Sequence, residues 1–195
     1  MIDENALVLP VNKINYLFRH GAFKVIPIAE LQQLINNNGR FVARDKAESD
    51  ESIRQIIPYV IMQNANDLYL IVKRLSTQTE QRLHGMYSIG LGGHINDQDT
   101  GDTPWMKFLS GMEREMNEEV IIKKVLEAPK YVGVIMDSST PVNKVHLGIV
   151  YLLKADIEGM NEKDKFSWDF LTFEQLLKYY DEMEVWSKYV MTNIL

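Results

Sequence analysis

Three glutamates and an arginine lie within six residues of this chain, at Arg114, Glu115, Glu118 and Glu119. Like charges so close together on a helix repel one another, so the arrangement needs an explanation. A helix turns about 100° per residue, which places the three carboxylates within roughly 100° of arc on one face. Carboxylate oxygens are the ligands that Mg²⁺ and Mn²⁺ prefer. The spacing therefore predicts a site for Mg²⁺ or Mn²⁺.

A glycine-rich segment precedes this cluster: residues 90–95 are Gly-Leu-Gly-Gly-His-Ile and follow an apolar run. The glycines predict a tight turn or bulge at the end of a strand. His94 either contacts a phosphate, acts as an acid or base, or is a polar loop residue without such a role. His146 lies in an apolar run and is interpreted as a core histidine.

The composition excludes several classes of protein. The 195 residues contain no cysteine, which rules out disulfides, thiolate nucleophiles and cysteine-ligated metals. The net charge of −6 argues against a nucleic-acid partner, although it is compatible with a phosphorylated small molecule whose charge a metal ion offsets. No signal peptide or apolar run of membrane-spanning length is visible, so we expect a cytoplasmic protein without membrane contact.

The elements that must position the cluster indicate an α/β protein with a mixed central sheet. Residues 1–53 are predicted to form an N-terminal extension that packs on a core domain of residues 54–195. Within that domain we predict a hairpin and a helix that begins with Thr103 as N-cap and Pro104 in the first turn. The apolar side of this helix is predicted to contain Trp105, Leu109, Met112, Met116 and Val120.

In the second half of the chain, apolar runs predict strands at Tyr131–Met136 and Val145–Leu153. An acidic loop is predicted to follow from Asp156 to Ser167. Thr172-Phe173-Glu174-Gln175 has the form of a capping box, for a helix that reaches about Met183. A last helix is predicted over Val185–Leu195.

The glycine turn and the glutamate helix together resemble a Nudix box, whose pattern is G-x5-E-x7-R-E-U-x-E-E-x-G-U with U a bulky aliphatic residue. Arg114 to Glu119 matches its right half, and Gly92-Gly93 matches the glycine pair at the end of the preceding strand. The resemblance covers roughly residues 54–195. It implies a Nudix-type α/β/α sandwich and a Nudix-type phosphohydrolase that cleaves a nucleoside diphosphate linked to another group.

The resemblance also implies roles for individual residues. Glu115 and Glu119 would bind the metal, with the Gly92 carbonyl as an additional ligand. Glu118 would be either a further ligand or the base that activates water, and Arg114 would orient the glutamates through hydrogen bonds. The residues themselves add substrate-binding candidates: Gly93 and His94 in the glycine turn, and Arg74 at the end of a strand before it, where a basic group can reach a phosphate. The resemblance also implies that one more acidic residue from a late loop joins the site. The candidates, among which the sequence does not choose, are Glu158, Glu162 and Asp164.

Three departures separate this chain from the pattern. Residues 96–103 carry a seven-residue insertion, and the first glutamate of the pattern falls on Met106, which cannot bind a hard cation. Ile121 replaces the glycine after the glutamate pair, which predicts that the helix continues beyond it.

Two alternatives to hydrolysis follow from the same fold. One is a module that senses a nucleotide or an ADP-ribose-like ligand without cleaving it. The other is an isomerase of the isopentenyl-diphosphate type, which the absence of cysteine disfavours. Residues 1–50 could form a surface for exchange between two copies of the chain, so the sequence leaves a homodimer as an open alternative.

Overall fold

The computed structural model describes residues 4–74, 85–161 and 166–195. In chain order its elements are β1 (Asn5–Pro10), β2 (Phe23–Lys24), α1 (Ile28–Asn38), β3 (Arg40–Ala43), α2 (Arg44–Ala47), β4 (Ile53–Gln63), β5 (Tyr69–Arg74), β6 (Tyr87–Ser88), β7 (Gly90–Leu91), α3 (Pro104–Glu119), β8 (Val120–Ile135), β9 (His146–Met160), β10 (Phe166–Leu171), α4 (Phe173–Leu176) and α5 (Val185–Asn193). Within the described part of the chain, the hydrogen-bonded strand order is β10-β5-β4-β9-β8-β2. The predicted α/β class, with helices on a mixed sheet, is confirmed.

The chain divides into two compact units. The first comprises the described residues of Met1–Pro58, Gly92–Glu115 and Tyr131–Val150. In this unit β1 lies between two antiparallel partners, since Val8 is opposite Arg40 of β3 and Gln55 of β4. The N-terminal segment therefore supplies strands to the sheet. The boundary between residues 53 and 54 stays a prediction.

The start of α3 follows the sequence signals. The Thr103 hydroxyl accepts a hydrogen bond from the Met106 amide at 3.2 Å, as an N-cap does. The Asn36 side chain accepts another from the Trp105 amide at 3.0 Å, so α1 supplies a second cap. The predicted apolar side was wrong at Leu109, which is 38% exposed, because the buried row of α3 instead passes through Phe108.

The end of α3 differs from the prediction that Ile121 would let the helix run on. The helix stops at Glu119 and β8 begins at Val120. Asn161 explains the stop, because its amide N–H donates to the Glu119 carbonyl at 2.9 Å and its side chain to the Asn117 carbonyl at 2.8 Å. These bonds satisfy carbonyls that a glycine C-cap would otherwise serve.

The second unit comprises Tyr59–Leu91, Met116–Lys130 and the described residues of Tyr151–Leu195. The predicted hairpin is confirmed by the pairing of Gln63 with Tyr69. The Thr172–Gln175 capping box is also confirmed, with both reciprocal hydrogen bonds formed. The helix that it opens is shorter than predicted, because α4 passes into a 3₁₀ segment over Leu177–Glu182. The predicted last helix is present as α5.

The predicted acidic loop at Asp156–Ser167 was wrong at both ends. β9 continues to Met160 and β10 begins at Phe166. None of the helices in the described part of the chain has the length and apolar character needed to cross a membrane.

A buried polar cluster holds the strand segment before the glycine turn. The Tyr59 hydroxyl lies 2.9 Å from a carboxylate oxygen of Glu184, 2.7 Å from the Ser187 hydroxyl and 3.1 Å from the Ser88 hydroxyl. Ser88 in turn donates to the Gly90 carbonyl at 2.7 Å. Burial, followed by the charge of Glu184, raises the pKa of Tyr59 well above its usual value. The cluster therefore fixes the backbone of β6 and β7.

Tyr59→Phe should lower the free energy of unfolding by about 2 kcal/mol, because it leaves the buried Glu184 without one donor. It should also weaken the pH dependence of the free energy of unfolding at alkaline pH. Above about pH 10 the unfolded chain loses the Tyr59 proton while the folded chain keeps it, so the wild type loses stability as pH rises. Urea unfolding at about pH 8 and about pH 10.5 measures both effects. Tyr16→Phe is the matched control, since Tyr16 is 51% exposed. Equal unfolding curves for the two variants would contradict the role of the cluster.

Candidate active site at the glycine turn and the glutamate helix

The glycine turn lies directly against the glutamate helix. A Cβ atom added to Gly93 would overlap the carboxylate of Glu115. Gly92 has a φ of +154°, and a Cβ there would overlap the Pro58 carbonyl. Gly92 therefore requires glycine for its backbone conformation, and a side chain at Gly93 would have to displace the Glu115 carboxylate. Because Gly93 has no side chain, only backbone atoms of the turn lie beside the Glu115 carboxylate at this position.

Arg114 connects three parts of this region. Its guanidinium donates to the Glu115 carboxylate at 2.6 Å and to the His94 carbonyl at 2.9 Å. It also forms a bidentate salt bridge with Asp99, in which Nε and Nη2 donate to the two carboxylate oxygens at 2.8 and 3.1 Å. Hydrogen bonding to Asp99, and then to Glu115, raises the pKa of Arg114 above its usual value, although partial burial opposes the shift. The guanidinium therefore holds the Glu115 carboxylate through a charge-assisted hydrogen bond.

Asp99 is a residue that the sequence analysis missed. It lies in the insertion, its side chain is only 4% exposed, and it holds Arg114 from the side opposite Glu115. The insertion is itself ordered by hydrogen bonds. The Lys107 ammonium donates to the carbonyls of Asp97 and Asp99 at 2.6 and 2.8 Å, and the Asn96 amide donates to the Asp99 carboxylate at 2.9 Å. An acid in an insertion before a helical arginine is the sequence signal, but no spacing rule selects Asp99 over Asp97.

The other residues of the box lie along α3. Glu118 is exposed and Glu119 is half-buried near the end of the helix. Met106, at the position of the missing first glutamate, is 48% exposed in the first turn of the helix. Its thioether side chain offers no oxygen donor for a metal. The insertion adds a different carboxylate to the region, that of Asp99, which pairs with Arg114.

The side chain of His94 lies beside another histidine. Its ring lies 5.6 Å from the ring of His146, centroid to centroid, and 3.7 Å separates its Nε2 atom from a carboxylate oxygen of Glu48. Burial, followed by the charges of Arg44 and His146, lowers the pKa of His94 to about 3. The ring is therefore neutral at neutral pH.

For the other predicted site residues the structure gives only part of the position or none. Arg74 ends β5, where its backbone pairs with Phe166 of β10. Glu158 is exposed on β9. Two other candidates for the late acid, Glu162 and Asp164, lie outside the described residues.

Comparison with known proteins gives the class of this chain. Protein YmaB of Bacillus subtilis (strain 168) is 31% identical over 202 residues, which cover 97% of both chains. The crystal structure of Tm1382, described as a candidate Nudix hydrolase, is 35% identical, covers 97% of both chains and superposes with a TM-score of 0.86. DR0079 from Deinococcus radiodurans, 17% identical, has a similar fold over 80% of this chain and 91% of its own, with a TM-score of 0.53. No family model matches.

The chain belongs to the Nudix hydrolase superfamily. The predicted enzyme class, a Nudix-type phosphohydrolase, is confirmed. The residue roles predicted for the site stay predictions.

Asp99→Asn should lower the free energy of unfolding by about 2 kcal/mol, because it keeps the shape of the side chain but removes the charge that Arg114 faces. The loss is expected to be smaller than for a fully buried pair, since 29% of the Arg114 side chain is exposed. Asp102→Asn, an exposed change in the same segment, should alter stability by less than about 0.5 kcal/mol. Chemical denaturation of both variants measures the difference, and an equal effect would show that the Asp99 pair contributes nothing specific.

Proposed function

We propose that this protein hydrolyses a small molecule with a nucleoside diphosphate-type linkage, in the cytoplasm, using Mg²⁺ or Mn²⁺. The observation that carries the proposal is that the Glu115 carboxylate, which Arg114 holds in place, occupies the space where a side chain at Gly93 would lie. Oriented carboxylate oxygens beside bare backbone suit a hard cation and the phosphate oxygens that approach it.

The proposed metal ligands are Glu115, Glu118, Glu119 and the Gly92 carbonyl. The three glutamates belong to one continuous helix, so their spacing gives them a common face. All four groups are oxygen donors, and a side chain at position 93 would fill the space beside Glu115, so the donor set fits Mg²⁺ or Mn²⁺. A divalent cation bound there would offset the negative charge of the phosphoryl oxygens.

The chain's own groups then have separate tasks. Arg114 keeps Glu115 in position, and its hydrogen bonds to Asp99 and the His94 carbonyl hold the guanidinium in place. Glu118 is exposed, and as either a ligand or a base it is accessible to water. As base, its carboxylate takes the proton of the water whose oxygen attacks phosphorus, while the bond from phosphorus to the leaving phosphate oxygen breaks. Gly93, the backbone of His94 and Arg74 are the proposed substrate contacts.

Glu119→Gln should reduce metal-dependent hydrolysis by about 100-fold or more, because a neutral amide replaces a charged ligand. The matched control is Glu113→Gln, which makes the same change at an exposed position of the same helix, about 120° or more from the three glutamates. Phosphate release would be measured with a coupled phosphatase, with Mg²⁺ and with Mn²⁺, on nucleoside triphosphates, ADP-ribose, dinucleoside polyphosphates and sugar nucleotides.

The outcomes separate the enzyme from the sensor. Turnover that Glu119→Gln abolishes and Glu113→Gln preserves supports hydrolysis and gives the substrate class. If the wild type cleaves nothing in the panel but one compound raises its melting temperature, hydrolysis is contradicted and ligand sensing is favoured.

Gly93→Ala should impair the same activity by a different route. Its new Cβ would displace the Glu115 carboxylate, and misplacement by about 1 Å costs on the order of 100-fold in rate. Gly159→Ala is the control, since a Cβ there makes only ordinary contacts of 3.9 and 4.0 Å. Steady-state kinetics on the best substrate, with melting temperatures to verify folding, compare the two. Full activity in Gly93→Ala would show that the position of Glu115 does not matter.

A further inference from the structure

A second group of potential metal ligands lies in the first unit. It consists of Glu48, His94 and His146, and one ligand atom from each lies within 4.8 Å of the others. The three come from distant parts of the chain: Glu48 follows α2, His94 follows the glycine turn, and His146 begins β9. None of them belongs to the ligand set proposed above for Mg²⁺ or Mn²⁺.

The orientation of His146 makes Nε2, which lies 3.3 Å from the Gln55 amide nitrogen, its candidate ligand atom. The ring is buried, and its Nδ1 atom lies 2.7 Å from the Val142 carbonyl, which can only accept. Nδ1 therefore carries the proton, and Nε2 presents a lone pair. A carbonyl that fixes the tautomer of a histidine in this way is typical of metal-binding histidines.

Two buried polar atoms next to this ring have no hydrogen-bond partner within the described residues: Nε2 of His94 and Oε1 of Gln55. Gln55 is 0% exposed, and its amide nitrogen lies 3.3 Å from Nε2 of His146. Leaving a buried polar atom unpaired costs about 1–3 kcal/mol, so each needs an explanation. A cation coordinated by His94 and His146 would satisfy the first, and a half-turn of the Gln55 amide would bring its oxygen toward the same ion.

The local charge also permits a cation. Arg44 approaches Glu48 at 3.7 Å, but it pairs more closely with Glu4 at 2.8 Å. Arg44, Glu4 and Glu48 therefore sum to one negative charge beside two imidazoles. The charge balance does not repel a divalent ion.

We propose that Glu48, His94 and His146 bind one transition-metal ion of the Zn²⁺ class. Two imidazoles and a carboxylate are a ligand set that suits such metals, whereas Mg²⁺ prefers oxygen ligands alone. Tetrahedral coordination at about 2.0–2.1 Å needs donor atoms roughly 3.3 Å apart, so small side-chain rotations close the site. One position stays open for water or another oxygen ligand.

Such an ion would connect the N-terminal segment to the glycine turn. Glu48 lies in that segment, and the carbonyl of His94 accepts a hydrogen bond from Arg114. The backbone that faces Glu115 would therefore be held from both sides, by the guanidinium and by the ion.

The test measures Zn²⁺ binding to the chelator-treated full chain by isothermal titration calorimetry, with the visible spectrum of bound Co²⁺ as a second readout of nitrogen ligation. We expect one ion per chain. His146→Gln should weaken binding by about 100-fold or more and Glu48→Gln by about tenfold or more, given that losing even an outer-shell partner costs about 10–100-fold. Glu48 is partly exposed, so its variant tests the site without disturbing the core.

Matched controls are His20→Gln and Glu51→Gln, both at exposed positions, which should bind as the wild type does. Glu119→Gln should also retain Zn²⁺ binding, which keeps this result separate from the test of hydrolysis. The proposal is overturned if the wild type binds no Zn²⁺, if Glu48→Gln and folded His146→Gln bind it as the wild type does, or if only Glu119→Gln loses it.

Discussion

The hydrogen-bonded ion pair between Arg114 and Asp99 is the interaction on which the candidate site depends. A guanidinium is planar and has five donors in a fixed arrangement, so it can hold Asp99, Glu115 and the His94 carbonyl at the same time. A lysine would offer a point charge without that geometry. Because Asp99 is almost fully buried, the pair is screened less than a surface pair would be. The position of the Glu115 carboxylate therefore depends on an insertion that lies outside the Nudix pattern.

The insertion and the N-terminal segment both support the glutamate helix. Lys107 of α3 holds the insertion by its backbone carbonyls, and Asn36 of α1 caps the first turn of the same helix. The pairing of β1 with β4 ties the N-terminal segment into the sheet. Residues outside the resemblance therefore fix where α3 begins, and with it the direction in which its glutamates point.

Two kinds of ligand chemistry lie within a few residues of each other around the glycine turn. The carboxylates of α3 offer hard oxygen donors, whereas the group around His94 and His146 offers imidazole nitrogen. The backbone of residues 92–94 separates them: Gly93 lies against Glu115, and the side chain of His94 turns toward Glu48. In the two proposals these groups would therefore bind different metals, since ligand type decides which cation a site prefers.

Local signals in the sequence predicted many elements correctly. The Thr103 cap, the Thr172–Gln175 capping box and the hairpin before β5 each depend on neighbours within a few residues, so a short window contains the necessary information. The errors fall where distant residues decide. Asn161 ends α3 from 42 positions beyond Glu119, and the burial of Phe108 in place of Leu109 depends on which face of the helix meets the core.

The sequence by itself determined the class of the protein and the helix that carries its glutamates, because residue type and helical spacing are local properties. Only the tertiary structure decided which carboxylate Arg114 holds and where His94 points. Asp99 and Arg114 are separated by a loop whose path no spacing rule describes. Glu48, His94 and His146 are brought together by a strand, a turn and a helix end that meet only in the folded chain. Contacts between such distant residues arise from packing, which a linear pattern does not record.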